Sequence, residues 1–263
     1  MRVSIVVPAR NEEKRIPLFL EQYGSYFEQL RLKNALDYEI LVVVNNTQDH
    51  TAQVVQRYNR TNARIRLIEF KQGGKGFAVM EGFKDALQRP NNLIGFVDAD
   101  MATPPAAFES LIARIGGHQG IIASRWRGDS DVTKQSLLFR FKSFIFNVVV
   151  RSLFGFPYRD TQCGAKLFRR EAISYIQDKM QITEWAFDID LLYKLRKGGF
   201  SIVETSTIWE SKDDSKIKLV KASLEMFFSV VRLRLVYSPF RFLVRAYDSL
   251  PQRLKVHHRI WKQ

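Results

Sequence analysis

The sequence predicts an α/β fold in which a mostly parallel sheet is flanked by helices. Short runs rich in Val and Ile alternate with longer amphipathic patterns, and a polar turn follows most of the apolar runs. The length of 263 residues suits one large domain with or without an appendage, and a hydrophobic content of 46% is ample for a core. We expect a main domain at 1–215 and a basic amphipathic segment at 216–263.

The elements are expected to alternate from the first strand onwards. Strands are predicted at 3–7, 38–44, 65–70, 93–98 and 120–123, where β-branched, apolar runs are typical of buried parallel strands. A first helix is predicted from the turn after the first strand to about residue 32, and a second follows the second strand and runs through residue 55. Further helices are predicted from about residue 77 to 87 and over 136–154, and the segment 184–190 is expected to begin another. Asn11 is expected to cap the first helix, with Glu12 and Glu13 in its first turn.

Four polar turns lie beyond the carboxyl ends of predicted strands. They contain Asn11, Asn45, Lys75 and Asp98. Ligands of open parallel sheets bind at this edge. We therefore expect the four turns to converge on one crevice.

Two carboxylates, Asp98 and Asp100, end the buried run at 93–97. If strand geometry persists, both side chains point the same way, and they repel each other unless a cation lies between them. Mg²⁺ or Mn²⁺ binds through such carboxylates together with substrate phosphates. The alternative is an Asp-rich turn that caps the next helix.

Three further segments each allow two interpretations. The turn at 73–76, with Lys75 among glycines, is either an anion-binding helix start or a tight turn with a solvated lysine. Cys163 is either a nucleophile or, with no histidine near it in sequence, a small buried residue. The acidic residues of 184–190 are either charges at a helix N-terminus or a third carboxylate near the metal.

Several of these segments together resemble family 2 glycosyltransferases with the GT-A fold. Within that family the chain resembles the polyprenyl-phosphate glycosyltransferases, particularly the dolichyl-phosphate β-glucosyltransferases, and more distantly the dolichyl-phosphate mannose synthases. The matching segments are VVPARNEEKRI (6–16), GGKGFAVMEG (73–82), DAD (98–100), ASR (123–125), DTQCGAKLF (160–168) and EWAFDIDLLY (184–193).

The resemblance implies a role for each matching residue. The nucleotide pocket would contain Pro8, Arg10 and Glu12. Lys75 would lie near the phosphates, with Asp98 and Asp100 as the metal motif. The sugar and acceptor phosphate would be held by Arg125, Asp160, Gln162 and Lys166, to which we add Arg140 from the 136–154 helix.

The resemblance also implies a catalytic set of acidic residues. Asp188 and Asp190 occupy the segment where the family often has an acidic residue. The candidate catalytic residues are therefore Asp98, Asp100, Asp160, Asp188 and Asp190.

Two short segments depart from the family pattern. Where the family usually has two aspartates after the second strand, one of which reads the base, this chain has Val44 and Asn45. After the metal motif, Ala102 and Thr103 leave only one hydroxyl. Asn45 can still donate and accept hydrogen bonds, so it remains a candidate for the nucleotide base.

The resemblance implies inverting transfer of a hexose, with glucose favoured, from a nucleotide diphosphate sugar, with UDP favoured, to a polyprenyl phosphate. One alternative is a GDP-mannose-dependent mannosyltransferase of the same class. Another is a soluble family 2 enzyme acting on a hydroxyl, for which Asp188 or Asp190 would be the base. A basic nucleic-acid-binding protein is a further alternative, but we see no zinc-finger spacing or RNA-binding signature and expect no nucleic-acid partner.

Charge and apolar pattern suggest a membrane surface as a partner. The net charge is +14, and residues 211–263 hold 12 Lys or Arg against 4 Asp or Glu. A helical apolar stripe at 217–235, ended by Pro239, predicts either a helix packed on the domain or helices lying in the membrane interface. With a single cysteine, no signal-peptide pattern and no apolar run of membrane-spanning length, we expect a cytoplasmic enzyme, peripheral on the cytoplasmic face of a membrane, without a transmembrane helix.

Overall fold

A computed structural model describes residues 1–133, 137–180, 186–210 and 219–249 of the chain. Glu184 and Trp185, residues 211–218 and residues 250–263, which belong to segments predicted above, lie outside the described residues. The chain divides into two compact units, Met1–Ser215 and Lys216–Gln263.

The first unit alternates strands and helices as the apolar pattern predicts. Its strands are β1 (Arg2–Ala9), β2 (Asp37–Asn45), β3 (Ile65–Phe70), β4 (Leu93–Val97), β5 (Gly120–Ser124), β6 (Asp131–Thr133), β7 (Ala165–Arg169), β8 (Ile202–Ser206) and β9 (Ile208–Glu210). Its helices are α1 (Ile16–Leu32), α2 (Thr51–Thr61), α3 (Lys75–Leu87), α4 (Pro105–Arg114), α5 (Leu137–Phe154), α6 (Arg170–Ile176) and α7 (Phe187–Lys197).

The main sheet has seven strands in the order β3-β2-β1-β4-β7-β5-β8. All neighbouring pairs are parallel except those that β7 makes with β4 and β5. The predicted mostly parallel sheet is thereby confirmed, while the antiparallel β7 was not predicted. Its register sets Lys166 opposite Phe96 and Ala165 opposite Val97. The segment 160–166 is therefore brought to the end of β4.

The central strands are buried on both faces, as expected of a parallel sheet covered by helices. On one face, the Phe19 and Tyr23 rings of α1 stack with centroids 4.1 Å apart, and Phe108 of α4 packs edge-on to Tyr23. On the other face, Phe83 of α3 lies against Phe96 and Phe168. This packing holds the carboxyl ends of β1, β2 and β4 in fixed relation to one another.

Two local predictions were wrong. Asn11 does not cap the first helix, which begins at Ile16; it has a left-handed φ of 57°, and its side-chain oxygen accepts a hydrogen bond from the backbone of Gln48. The strand β4 ends at Val97 rather than at Asp98, so strand alternation does not orient Asp98 and Asp100. Both side chains are placed instead by contacts within and between loops.

The second unit contains α8 (Leu219–Val236) and α9 (Arg241–Ser249) in its described part. Over the described residues, the helical stripe predicted at 217–235 lies in α8, and the helix ends before Pro239, as expected of a residue that cannot continue the backbone hydrogen bonding. In the described part of the chain, no helix has the length and apolar content needed to cross a membrane.

Candidate active site

The loops after β1 and β2 are joined by hydrogen bonds between side chains and backbone. The backbone amides of Asn11 and Glu12 donate to the hydroxyls of Thr47 and Thr51, at 2.8 and 2.9 Å. The carboxylate of Glu12 accepts two hydrogen bonds from Arg15, at 2.6 and 2.7 Å. These bonds hold the first loop at the sheet edge while its polar side chains remain at or near the surface.

Asn45 connects the end of β2 to the glycine turn before α3. Its side chain is buried, and its amide nitrogen donates to the backbone oxygen of Gly74 at 3.2 Å. Gly74 has a φ of 117°, which residues with a side chain rarely adopt, so glycine is required for the turn that begins α3. This turn places Lys75, the first residue of α3, at the sheet edge.

Lys75 reaches the two carboxylates that follow β4. Its ammonium lies 2.6 Å from Asp98 Oδ1 and 5.6 Å from the centroid of the Phe96 ring. Although burial opposes its charge, the carboxylates of Asp98, Asp188 and Asp100 raise the pKa of Lys75. The ammonium therefore stays charged in the middle of an acidic cluster.

The four turns predicted to converge are linked by these contacts. Asn11 bonds to the loop after β2, and Asn45 bonds to the turn before α3. Lys75 then pairs with Asp98 after β4. The four turns therefore lie together at one edge of the sheet.

The second carboxylate, Asp100, lies in the turn after β4. Its Oδ1 accepts a hydrogen bond from the backbone of Ala102 at 2.9 Å. Burial, and then the charge of Asp98, raise the pKa of Asp100. Burial, and then the same two carboxylates, also raise the pKa of Tyr23, whose hydroxyl donates to the backbone oxygen of Thr103. The carboxylates of Asp98 and Asp100 therefore concentrate negative charge at the site.

Gly164 packs directly against Asp98. The backbone amide of Asp98 donates to the Gly164 oxygen at 3.1 Å, and a Cβ at position 164 would lie only 2.1 Å from Asp98 Oδ2. Real Cβ atoms do not approach other atoms closer than about 3.0 Å. The absence of a side chain at Gly164 is therefore what allows this position of the Asp98 carboxylate.

Asp160 is buried and organises the loop before β7. Its carboxylate accepts two side-chain bonds from Arg125, at 2.8 and 3.0 Å, and backbone bonds from Arg125, Gln162 and Cys163. Burial opposes ionisation, but Arg125 outweighs it and lowers the pKa of Asp160. A buried, ionised carboxylate with this many donors is suited to positioning Arg125 and the loop rather than to proton transfer.

Cys163 is a buried thiol in the same loop. Burial, and then the charge of Asp160, raise its pKa to about 12. The thiol is therefore protonated at neutral pH, which favours the interpretation of Cys163 as a small buried residue over a nucleophile.

Lys166 is fully buried on β7 and forms an ion pair. Its ammonium lies 2.6 Å from Asp188 Oδ1 and 2.7 Å from the Cys163 oxygen, and 5.2 Å from the centroid of the Phe96 ring. The ammoniums of Lys75 and Lys166 thus both lie near one aromatic ring, each beside an aspartate. In this arrangement Lys166 supports Asp188 rather than reaching an exposed ligand.

The two acidic residues of α7 have different surroundings. Asp190 is fully buried, and its carboxylate lies 3.5 Å from the ammonium of Lys194 on the same helix. Asp188 pairs with Lys166 and also acts on the charge of Lys75. Of this pair, Asp188 is therefore the residue that belongs to the charged cluster around Lys75.

The remaining predicted residues lie nearer the surface. Arg140 is exposed, with its guanidinium 5.9 Å from the centroid of the Trp126 ring. Arg10 is exposed, whereas Pro8 and Gln162 are half-buried. These side chains are accessible to a ligand but are not part of the buried ion pairs.

Three side chains near the site were not identified from sequence. Glu204 on β8 accepts backbone hydrogen bonds from Arg159 and Asp160, at 2.8 and 2.7 Å. The Arg125 guanidinium lies over the ring of Trp209, 5.3 Å from its centroid. The charge of Arg15 partly offsets the effect of burial on Asp100. Glu204 and Trp209 lie on strands that the sequence pattern did not reveal.

The carboxylates of Asp98 and Asp100 fit a divalent cation. The negative charge of Asp98 opposes the ionisation of Asp100, and carboxylate oxygens are the ligands that Mg²⁺ and Mn²⁺ prefer. Among the described residues, no group of three His, Cys, Asp or Glu side chains is arranged to hold a metal. An ion held by these two aspartates would therefore take further ligands from a diphosphate or from water.

Residues 4–176 match the model of glycosyl transferase family 2. The chain belongs to this family and is a glycosyltransferase. It is similar to the dolichyl-phosphate β-glucosyltransferase of Dictyostelium discoideum, with 33% identity over 246 residues, covering 89% of this chain and 74% of the relative. The enzyme of that name from Homo sapiens is 31% identical over 248 residues, covering 90% and 76%.

Two solved structures of other proteins are similar to the fold of this chain. Glucosyl-3-phosphoglycerate synthase from Mycobacterium tuberculosis, in complex with Mn²⁺, UDP and phosphoglyceric acid, has a TM-score of 0.63 and 16% identity over 89% of this chain and 78% of that chain. Mannosyl-3-phosphoglycerate synthase from Rubrobacter xylanophilus has a TM-score of 0.64 and 18% identity over 96% and 79%. At these identities the likeness establishes the GT-A fold.

Proposed function

We propose that the chain transfers a hexose, with inversion, from a nucleotide diphosphate sugar to a polyprenyl phosphate such as dolichyl phosphate. The observation that carries the proposal is the pair Asp98 and Asp100 facing Lys75 at the sheet edge. The relatives named dolichyl-phosphate β-glucosyltransferase support glucose as the sugar. The structural neighbour solved with Mn²⁺ and UDP favours UDP as the nucleotide and a divalent ion as the cofactor.

The chemistry of the acceptor decides what the chain must supply. A phosphate monoester has a second pKa near 6 and is already an anionic nucleophile at neutral pH. The enzyme therefore needs no strong general base, and its main task is to neutralise the departing diphosphate. A bound Mg²⁺ or Mn²⁺, held by Asp98 and Asp100, would supply Lewis-acid stabilisation of that diphosphate.

Lys75 and Arg125 are the cations proposed to meet the two phosphate groups. Lys75 keeps its charge and lies beside the metal motif, where it can stabilise the diphosphate. Arg125, fixed by Asp160, presents a cation at the loop that precedes β7, where the acceptor phosphate would bind.

Other residues support these cations. Lys166 holds Asp188, whose charge helps to keep Lys75 protonated. The Asn45 amide holds the glycine turn from which Lys75 projects. Loss of any of these contacts is expected to act on transfer through Lys75.

We further propose that the acceptor is met at a membrane. In this proposal the basic segment 216–263 lies on anionic lipid. The enzyme would then be peripheral, and we place it on the cytoplasmic face of the membrane. This interpretation suits a lipid acceptor and the charge of +8 over residues 211–263, the difference between 12 basic and 4 acidic residues. It predicts that attachment weakens as salt is raised.

A transfer assay tests the proposal directly. The full chain is incubated with Mn²⁺, a short-chain polyprenyl phosphate and either UDP-glucose or GDP-mannose, and glycosylated lipid phosphate is measured. We expect product with UDP-glucose, loss of product with EDTA, and loss of product in Asp98→Asn and Asp100→Asn variants that remain folded. Transfer to a simple sugar but not to the lipid phosphate would instead establish the hydroxyl-acceptor alternative.

A further inference from the structure

The helix α5 presents an apolar stripe to the surface. Phe141, Phe144, Ile145 and Val148 have relative exposures of 62%, 53%, 46% and 42%. Their spacing of three, one and three residues places them on one side of the helix. A single exposed apolar side chain is ordinary, but four adjacent ones on one helix are typical of an interaction surface.

The opposite side of α5 faces the protein and contacts the candidate site. Asn147, Val150 and Phe154 are buried. The side-chain oxygen of Asn147 accepts a hydrogen bond of 3.4 Å from the backbone of Thr161, the residue after Asp160. The apolar stripe and the loop before β7 are therefore on two sides of the same helix.

The stripe also approaches the site through Trp126. The Phe144 and Trp126 rings lie 5.8 Å apart between centroids, and the Arg140 guanidinium lies 5.9 Å from the centroid of the Trp126 ring. Trp126 follows Arg125, which is bound to Asp160. A ligand seated on the stripe would consequently lie beside the residues proposed to hold the acceptor phosphate.

The charged residues of α5 and of the sequence next to it are of one sign. From Val132 to Arg159 the sequence contains no Asp or Glu, whereas it contains Lys134, Arg140, Lys142, Arg151 and Arg159. Arg140 and Arg151 are exposed near the two ends of the stripe. An apolar strip flanked by cations is complementary to an anionic bilayer surface, with acyl chains beneath phosphate headgroups.

We propose that the exposed stripe of α5 docks into the interfacial region of an anionic membrane and holds the site at the headgroup level. This inference rests on the proposed lipid acceptor, and it assigns a docking surface within the first unit, separate from the basic segment 216–263. The apolar side chains enter the acyl region, while Arg140 and Arg151 remain among the headgroups.

A site-specific fluorescent label tests the docking. Because Cys163 is buried, an environment-sensitive thiol dye in the Ile145→Cys variant of the full chain labels position 145 selectively. Leu32→Cys, an exposed apolar position on α1, is the matched control. We expect a blue shift at position 145, and none at 32, when vesicles of phosphatidylcholine and phosphatidylserine without acceptor are added.

Other outcomes overturn the proposal. An unshifted dye at position 145 on protein that sediments with the vesicles places the membrane contact elsewhere. If the dye emission is blue-shifted without vesicles and the shift grows with protein concentration, a second copy of the chain covers the stripe. If that shift is independent of protein concentration, the chain itself covers the stripe. Failure of the full chain to bind vesicles also overturns it.

A substitution separates docking from catalysis. Replacing Phe141, Ile145 and Val148 by serine should weaken vesicle sedimentation by about tenfold or more, because large apolar side chains are lost from the interface. The matched variant with Leu18→Ser and Leu32→Ser should sediment as the unaltered chain does. Transfer to a short-chain, water-soluble acceptor phosphate should be retained in both; absence of that transfer in the unaltered chain would refute the proposed function but not the docking.

Discussion

Replacing Gly164 by alanine should displace a carboxylate of the metal motif without unfolding the protein. The new Cβ would lie 2.1 Å from Asp98 Oδ2 and 2.6 Å from Asp98 Cγ, whereas real contacts stay beyond 3.0 Å, so the carboxylate must move by about 1 Å. A misplacement of about 1 Å in a catalytic arrangement costs on the order of 10²-fold in rate. This corresponds to about 2.7 kcal/mol of transition-state stabilisation.

The assay is kcat/KM for transfer to lipid phosphate, measured beside the melting temperature. Gly128→Ala is the matched control, because nothing lies within 4 Å of a Cβ at that position. We expect Gly164→Ala to lose about 10²-fold in kcat/KM and to melt within a few degrees of the unaltered chain, while Gly128→Ala retains activity. A folded Gly164→Ala variant with undiminished transfer would refute the reasoning.

A second measurement tests whether the effect passes through Asp98. Binding of Mn²⁺ and UDP is compared in Gly164→Ala, in Asp98→Ala and in the double variant. If Gly164 acts by placing Asp98, the double variant should bind as Asp98→Ala does, because the two changes remove the same interaction. Additive losses would indicate that Gly164 contributes in some other way.

Two further predictions concern charges in the cluster. Lys166→Met should lower the free energy of unfolding by about 3 kcal/mol, because it leaves Asp188 buried without its partner. Adding Asp188→Leu should recover part of this loss, as measured by denaturant unfolding. Equal stability of Lys166→Met and the unaltered chain would contradict the prediction. Asp100→Asn should raise the metal-free melting temperature at pH 7, since burial and Asp98 raise the pKa of Asp100 and so disfavour its ionised form in the fold. The cost of burying the ionised Asp100 is fully present above its raised folded pKa and absent below its unfolded pKa of about 3.9. The gain in melting temperature of Asp100→Asn should therefore vanish near pH 3. A gain that is constant with pH would count against this explanation.

The sequence by itself determined the alternation of strands and helices and the edge of the sheet where the site lies. Apolar β-branched runs such as β1 and β3 identify buried strands because their periodicity is local. The polar residues Asn45, Lys75 and Asp98 follow such runs, so their convergence follows from parallel pairing alone. The segments 160–168 and 184–193 carry the resemblance that indicates the family.

Only the tertiary structure decided which of the acidic and basic residues act together. The antiparallel insertion of β7 beside β4 sets Lys166 opposite Phe96 and Gly164 against Asp98, although the two strands are distant along the chain. Local pattern contains no information on such pairing, because strand order depends on packing between distant segments. The sequence identified Asp160 as an acidic residue of a motif, but not its burial or its pairing with Arg125. The exposed stripe on α5 was likewise not identified, because both features depend on which face each element turns to its neighbours.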